Sequence, residues 1–274
     1  MNDTTREAAD AAGKGVEWLA RFGYAAKGVV YAIVGVLAAM VAFGMGGQTT
    51  GTKGAVSQIG SETHGQAMLL AVAVGLFGYV VWRFTQAIKD PEREGTDFKG
   101  LIKRASFFIS GLIYGSLAIY TISLLLGSGG GGGGGSSKDS MTARLMSYEG
   151  GVWAVGVIGA IIVLMGVMQF VRAYKEKYKK KWSLAQMGAT QTRWASRIAK
   201  WGLSARGLVF FIIGGFLIVA ALQTDPSKAT GLNGALDTLA QQSYGLVLLG
   251  VVGLGLLCYG IYCWVNALYR RINP

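Results

Sequence analysis

The chain has 274 residues, of which 52% are hydrophobic and 15% charged, with a formal net charge of +12 and a mean hydropathy of +0.42. A soluble globular chain carries about 25% charged residues, and here the deficit is concentrated in charge-free stretches such as 28–52 and 105–137. This excludes an ordinary soluble domain.

In chain order, about twenty polar and mixed residues precede the first apolar stretch. That stretch is too long for the hydrophobic region of a cleaved signal peptide. Six runs are long enough to cross a hydrocarbon core of about 30 Å as helices: 24–44, 66–88, 105–127, 152–171, 203–223 and 244–268. Between the first and second runs, 53–60 reads as a short helix or re-entrant turn, and the lone His64 follows it without metal-ligand company. Arg83 and Gln86 lie near the end of the second run. The segment 97–104 reads as a short amphipathic lead-in to the third, as 5–20 does to the first. The glycine run 129–135 lacks the Gly-Lys-Ser/Thr ending of a phosphate loop and reads as a flexible tether. Gln169 sits near the end of the fourth run, followed by the polybasic KEKYKKK at 175–181.

Next, Leu184, Met187, Gln191, Trp194, Ile198 and Trp201 recur at alternating spacings of three and four, with Arg193, Arg197 and Lys200 off that stripe. This predicts a basic amphipathic helix lying on the membrane surface. The segment 234–242 repeats the character of 53–60. Cys258 and Cys263, five residues apart in the last run, face different sides of a helix and read as small packing residues.

Of the 26 Lys and Arg, 22 fall at or near the N-terminus, the even-numbered gaps and the C-terminus, while Lys53, Lys138, Arg144 and Lys228 lie on the other side. This asymmetry predicts cytoplasmic termini and a multi-pass protein of the plasma membrane. It also accounts for the +12 without nucleic acid.

The chain repeats itself. RFGYAAKGVVYA (21–32) and KWGLSARGLVFF (200–211) share a pattern, and setting Gly28, Gly111 and Gly207 in register brings a middle copy into line. Seven residues before each glycine stands Arg21, Arg104 or Lys200. Five before stands Gly23, Ser106 or Gly202, one before stands Lys27, Ser110 or Arg206, and three after stands Tyr31, Tyr114 or Phe210. GLFGYVVWRFTQA (75–87) aligns with GLLCYGIYCWVNA (255–267), and more weakly with IIVLMGVMQFVRA (161–173). Gly54 and Gly65 match Gly234 and Gly245. The expected fold is therefore all-α: a polytopic membrane protein of six transmembrane helices, arranged as three parallel two-helix repeats with short interfacial amphipathic helices. The units are 1–97, 98–183 (with a Gly-rich outer loop at 127–137) and 184–274, within one membrane domain.

This triple unit, with its [KR]-x-[GS]-x-x-x-[KRS]-G-x-x-[YF] helix start and G-L-x-x-Y second helix, resembles the bacterial membrane family catalogued as domain of unknown function 1206. The resemblance covers nearly the whole chain and implies the architecture. It brings no catalytic residue.

No Asp or Glu falls inside any span, and no Ser-His-Asp set, Cys-His set or carboxylate pair is placed at depth. The expectation is a protein that is not an enzyme and needs no cofactor or metal. Intramembrane cations are functional candidates. Arg21, Lys27, Arg104, Lys200 and Arg206 are either cytoplasmic anchors whose long side chains snorkel or binders of an anion or lipid headgroup. Arg83 is either a snorkelling end residue or part of a site at an inner mouth, and Gln86, Gln169 and Asn266 either hydrogen-bond across helices or line that mouth. Two functions remain open: an accessory or scaffold module that binds anionic cytoplasmic-side lipids or a membrane-protein partner, and a channel or carrier for a small solute or anion around the three-repeat axis. The oligomeric state is not legible.

Overall fold

The computed structural model describes residues 3–46, 48–127 and 142–272, with side chains from residue 13 onward. Its helices are α1 (Asp3–Ala42), α2 (Thr52–Gly60), α3 (Gly65–Ile88), α4 (Phe98–Leu125), α5 (Gly151–Tyr174), α6 (Ala189–Gln223), α7 (Leu232–Ala240) and α8 (Gly245–Tyr269). A further helical turn covers 142–146. Six of them (α1, α3, α4, α5, α6 and α8) are long and apolar enough to cross a membrane. The glycine run expected as a tether, and Lys138, lie outside the described residues.

The amphipathic lead-ins differ from expectation. They are not separate surface helices but the first turns of the spans themselves. Residues 189–201 run without a break into α6, a helix of 35 residues, and Leu184 belongs to a separate 3-10 turn (Leu184–Gln186). At about 1.5 Å per residue, α6 is about 50 Å long, well beyond the hydrocarbon core. Helix propagation is cooperative and no proline interrupts this segment, so the hydrogen-bond ladder continues where the polarity changes. The same holds for α1 and α4. Asp97 caps α4, accepting a hydrogen bond from the Gly100 N–H at 3.2 Å.

The outer segments form the short helices α2 and α7. Equivalent residues face inward: Ala55, Val56 and Ile59 on α2, and Ala235, Leu236 and Leu239 on α7. Gly65 and Gly245 open α3 and α8 in a turn so tight that a Cβ on Gly65 would stand 2.8 Å from Ile59 O, and one on Gly245 2.5 Å from Leu239 O.

The six spans pack as an open ring, with α4 on α3, α3 on α1, α1 on α8, α8 on α6 and α6 on α5. Each first helix of a unit thus packs on the second helix of the unit before it. The register glycines explain how. Gly28, Gly111 and Gly207 lie under Trp264, Phe84 and Phe170, the equivalent aromatic of each preceding second helix. Close backbone approach follows at Gly28/Gly260 and Gly35/Gly253 between α1 and α8, and at Gly207/Gly166 and Gly214/Gly159 between α6 and α5.

Within units 1 and 3 the two helices also pack on each other, α1 on α3 and α6 on α8. There a Cβ on Gly23 would stand 2.5 Å from Tyr79 N, and one on Gly202 2.5 Å from Tyr259 N. Unit 2 has Ser106 at that position, and Ile161 where units 1 and 3 have Gly75 and Gly255. Its helices, α4 and α5, do not pack along their length. The ring is open there. The share of the apolar window that is buried is 56% in α1 and in α8, 44% in α3, 28% in α4, and 22% in α5 and in α6.

Candidate functional site

The opening between α4 and α5 is a cleft of about 280 Å³ at the end of the bundle that carries both termini. Helix α4 contributes Ile102, Lys103, Ser106 and Phe107, and α5 contributes Met168, Val171 and Arg172. The link after α5 adds Lys177, Tyr178 and Lys181. Arg83 of α3, Tyr262 and Asn266 of α8, Arg270 just beyond α8, and Glu94 complete the lining. Every unit supplies a cation, and six cations share the lining with one carboxylate. Among the described residues no carboxylate pairs with Arg83, Arg172 or Lys177.

The floor is fixed by Glu92, in the turn after α3. Its carboxylate pairs with Arg270 and Lys181 and accepts a hydrogen bond from Gln86 Nε2 at 2.9 Å. One side chain thus ties the ends of α3 and α8 to the link after α5. Burial pushes the Glu92 carboxyl upward, but Arg270 and then Lys181 outweigh it and hold it at about 2. Burial, reinforced by Arg270, draws the Lys181 ammonium below the usual lysine range despite Glu92. Ser183 N donates to Tyr269 O at 2.8 Å and Arg271 N to Lys181 O at 2.9 Å, stitching the link to the chain end. Arg270 is 7% exposed, and its Nε has no hydrogen-bond partner among the described residues. A buried guanidinium N–H left unpaired is costly, and this cost is set against the Glu92 pair that the same guanidinium makes.

A polar chain runs from the cleft to the ring axis. Arg83 Nε donates to Tyr79 Oη at 2.8 Å and its Nη1 to Gln86 Oε1 at 2.9 Å. Lys27 Nζ, in a residue 2% exposed, donates to the same Tyr79 Oη at 3.0 Å. The ammonium sits 4.5 Å from the Tyr114 ring centre, 4.7 Å from Tyr79, 5.5 Å from Tyr259 and 6.0 Å from Tyr31. Arg206 Nη1 donates to Tyr259 Oη at 2.6 Å, and its Nε has no partner among the described residues. These rings replace part of the hydration that a cation loses at depth. The three-repeat axis is packed by them at this level.

The candidate residues therefore divide. Arg83 and Asn266 meet in the cleft. Lys27 and Arg206 meet on the axis. Arg21 donates to Ala267 O at 2.7 Å and Leu268 O at 2.9 Å, and Arg104 to Ala87 O at 2.8 Å and Ile88 O at 3.0 Å. Each closes off the C-terminal carbonyls of the preceding unit's second helix. Lys200, at the equivalent place, pairs with Glu176 just past α5 at 2.8 Å. Gln86 and Gln169 are buried but outside the cleft lining. Asn266 accepts from Trp182 Nε1 at 3.3 Å.

Sequence reasoning missed Glu92, Arg172 and Arg270 as members of one site. The only signals were a carboxylate four residues past the second span, and Arg172 at the register position of Gln86 and Asn266.

The cyclic pairing assigns equivalent roles to three copies of one unit, and a family model agrees with that division. The family described as Domain of Unknown Function (DUF1206) matches residues 22–90, 105–176 and 201–270. The chain belongs to the DUF1206 family. Each DUF1206 match begins one residue after the first cation of its repeat, Arg21, Arg104 or Lys200, so the unit is one first helix, its outer loop and one second helix. This DUF1206 chain is similar to the uncharacterized protein YxxB of Bacillus subtilis (strain 168), at 33% identity over 259 residues and 93% of each chain. No solved structure matches it.

Proposed function

We propose that this protein is a non-catalytic accessory module of the plasma membrane, with cytoplasmic termini, that holds an anionic group of phosphate type in the cleft between α4 and α5. The observation that carries the reading is the charge of that cleft, placed where the ring is open: of its six cationic side chains, Lys103, Lys181 and Arg270 pair with Glu92 or Glu94, while Arg83, Arg172 and Lys177 have no carboxylate partner among the described residues. Arg83, Arg172 and Arg270 supply the planar donors that suit phosphate oxygens. A module with basic residues gathered at one membrane face also gains from an anionic leaflet, about 1 kcal/mol per Lys or Arg near the surface. Conduction along the three-repeat axis draws less support, because Lys27 and the tyrosine rings occupy that axis.

The test is native mass spectrometry of the protein released in mild detergent, with identification of every retained molecule. The expected result is a defined anionic species on the wild type, lost in Arg83→Gln/Arg172→Gln. A wild type that retains neutral and anionic molecules alike, or a variant that retains the same species, overturns the proposal.

A further inference from the structure

The walls of the cleft say which kind of phosphate it takes. Resting on the reading above, we infer that the occupant is a phospholipid of the inner leaflet, which enters sideways between α4 and α5 with its headgroup on the cations and an acyl chain along the open seam. Free phosphate shares the headgroup chemistry but needs no apolar wall. Here the wall is present and continuous with the membrane-facing surface: Ile102 on α4 is 44% exposed, and Met168 and Val171 on α5 are 40% and 37% exposed, all lining the same cleft as Arg83 and Arg172. Phe107 stands among them, with Arg83 Cζ 5.3 Å from its ring centre.

The opening is built into the sequence. Ser106 and Ile161 stand where glycines let the helices of the other two units close, so the seam lies between the two helices of the middle unit alone. Its size sets the occupant. A cleft of about 280 Å³ takes a phosphate ester and the start of a chain, whereas a partner helix is about 10 Å across with its side chains. The depth fits as well, because the cleft lies at the basic end of the spans, where the headgroup layer of an inner leaflet would be.

The experiment uses the full-length protein, freed of lipid in detergent, and measures retention by native mass spectrometry. The probes are inorganic phosphate, glycerol 3-phosphate, dihexanoyl phosphatidylglycerol and long-chain phosphatidylglycerol, with zwitterionic phosphatidylcholine as the net-neutral comparison. On the unaltered protein, retention should rise by about tenfold or more from glycerol 3-phosphate to the dihexanoyl lipid, since the added methylenes are buried. Phosphatidylcholine should be retained about tenfold less than phosphatidylglycerol. Met168→Trp, which fills the seam, should cut lipid retention and spare phosphate, whereas Arg172→Gln should cut both.

Phosphate retained without any gain from acyl chains overturns lateral lipid binding and leaves the anion site standing, as does lipid retention indifferent to Met168→Trp. Retention of neither phosphate nor phosphatidylglycerol, or equal retention of phosphatidylcholine, overturns the anion site itself. The chain-length series needs no variant, so a misfolded tryptophan substitution leaves the inference testable.

Discussion

Replacing Glu92 with Gln tests whether one side chain holds the basic end of the bundle together. Glu92 joins Arg270, Lys181 and Gln86, which come from three different segments. Its carboxyl lies at about 2 against an ordinary 4.5. At about 1.4 kcal/mol per tenfold change in proton affinity, that difference amounts to on the order of 3 kcal/mol of stability at neutral pH. Because the folded value is depressed, this contribution is fully present above about pH 4.5 and is lost as pH falls toward 2. By pH 3 less than about half remains. Removing the carboxylate while keeping its shape leaves Arg270 without a carboxylate and Lys181 with Glu94 alone at 3.5 Å, a loss of the same order. For a chain of this size it lowers the unfolding midpoint by about 5 °C. The assay is thermal unfolding of wild type and Glu92→Gln in one detergent at pH 7 and pH 3. The gap between them should shrink at pH 3. A gap below about 1 °C at pH 7, or one that is equal at the two pH values, would refute the argument.

The glycine seams predict a position-specific cost. A Cβ on Gly35 would lie 2.6 Å from Gly253 O, so Gly35→Ala should lose about 1–3 kcal/mol, while Gly215→Ala, with nothing within 4 Å, should be neutral or gain up to about 1 kcal/mol as a helix-interior alanine; chemical or thermal unfolding reads both. Tyr79→Phe removes the oxygen that accepts from Lys27 and Arg83 and should cost about 1.5–3 kcal/mol. In a cycle with Lys27→Met the two losses should be non-additive by about 1 kcal/mol or more, and strict additivity would deny that Tyr79 bridges cleft and axis. Arg104→Gln frees two α3 carbonyls and should cost about 1 kcal/mol, with faster hydrogen exchange at the last turn of α3 as the sign that the loss is local.

The features legible in the sequence were those set by composition and period. The six spans end within a few residues of the apolar runs, and the register of Gly28, Gly111 and Gly207 follows from their shared role of seating an aromatic from the neighbouring unit. A repeat shows which positions are equivalent, but it does not show which neighbours they meet. Arg21, Arg104 and Lys200 therefore read as headgroup anchors, although their partners lie on the preceding unit, for Arg21 some 246 residues along the chain. The start of α6 read as a surface helix because periodicity reports which face is apolar and carries no information on whether the backbone bends before the span. Glu92 was invisible for another reason. Its importance comes from Lys181 and Arg270, 89 and 178 residues away, and pairing at that separation leaves no local pattern.

The middle unit departs from the other two at the positions that bear on the site. Where they have Lys27 or Arg206 on the axis, it has Ser110, and where they have Tyr79 or Tyr259, it has Met165. It contributes neither a cation nor a second-helix tyrosine to the interior. Where they have Gln86 or Asn266, it has Arg172, which lines the cleft. The same unit lacks the glycines that close the other two, so it places a cation at the rim of an opening that its own bulk creates. A strict threefold repeat would bring three cations to one axis, where each raises the cost of burying the others. Breaking the repeat relieves that crowding and moves positive charge to a mouth that opens toward the membrane. The divergence of the middle copy is therefore what makes the cleft, and a chain with unit 2 restored to the pattern of units 1 and 3 should bury α4 and α5 together and lose it.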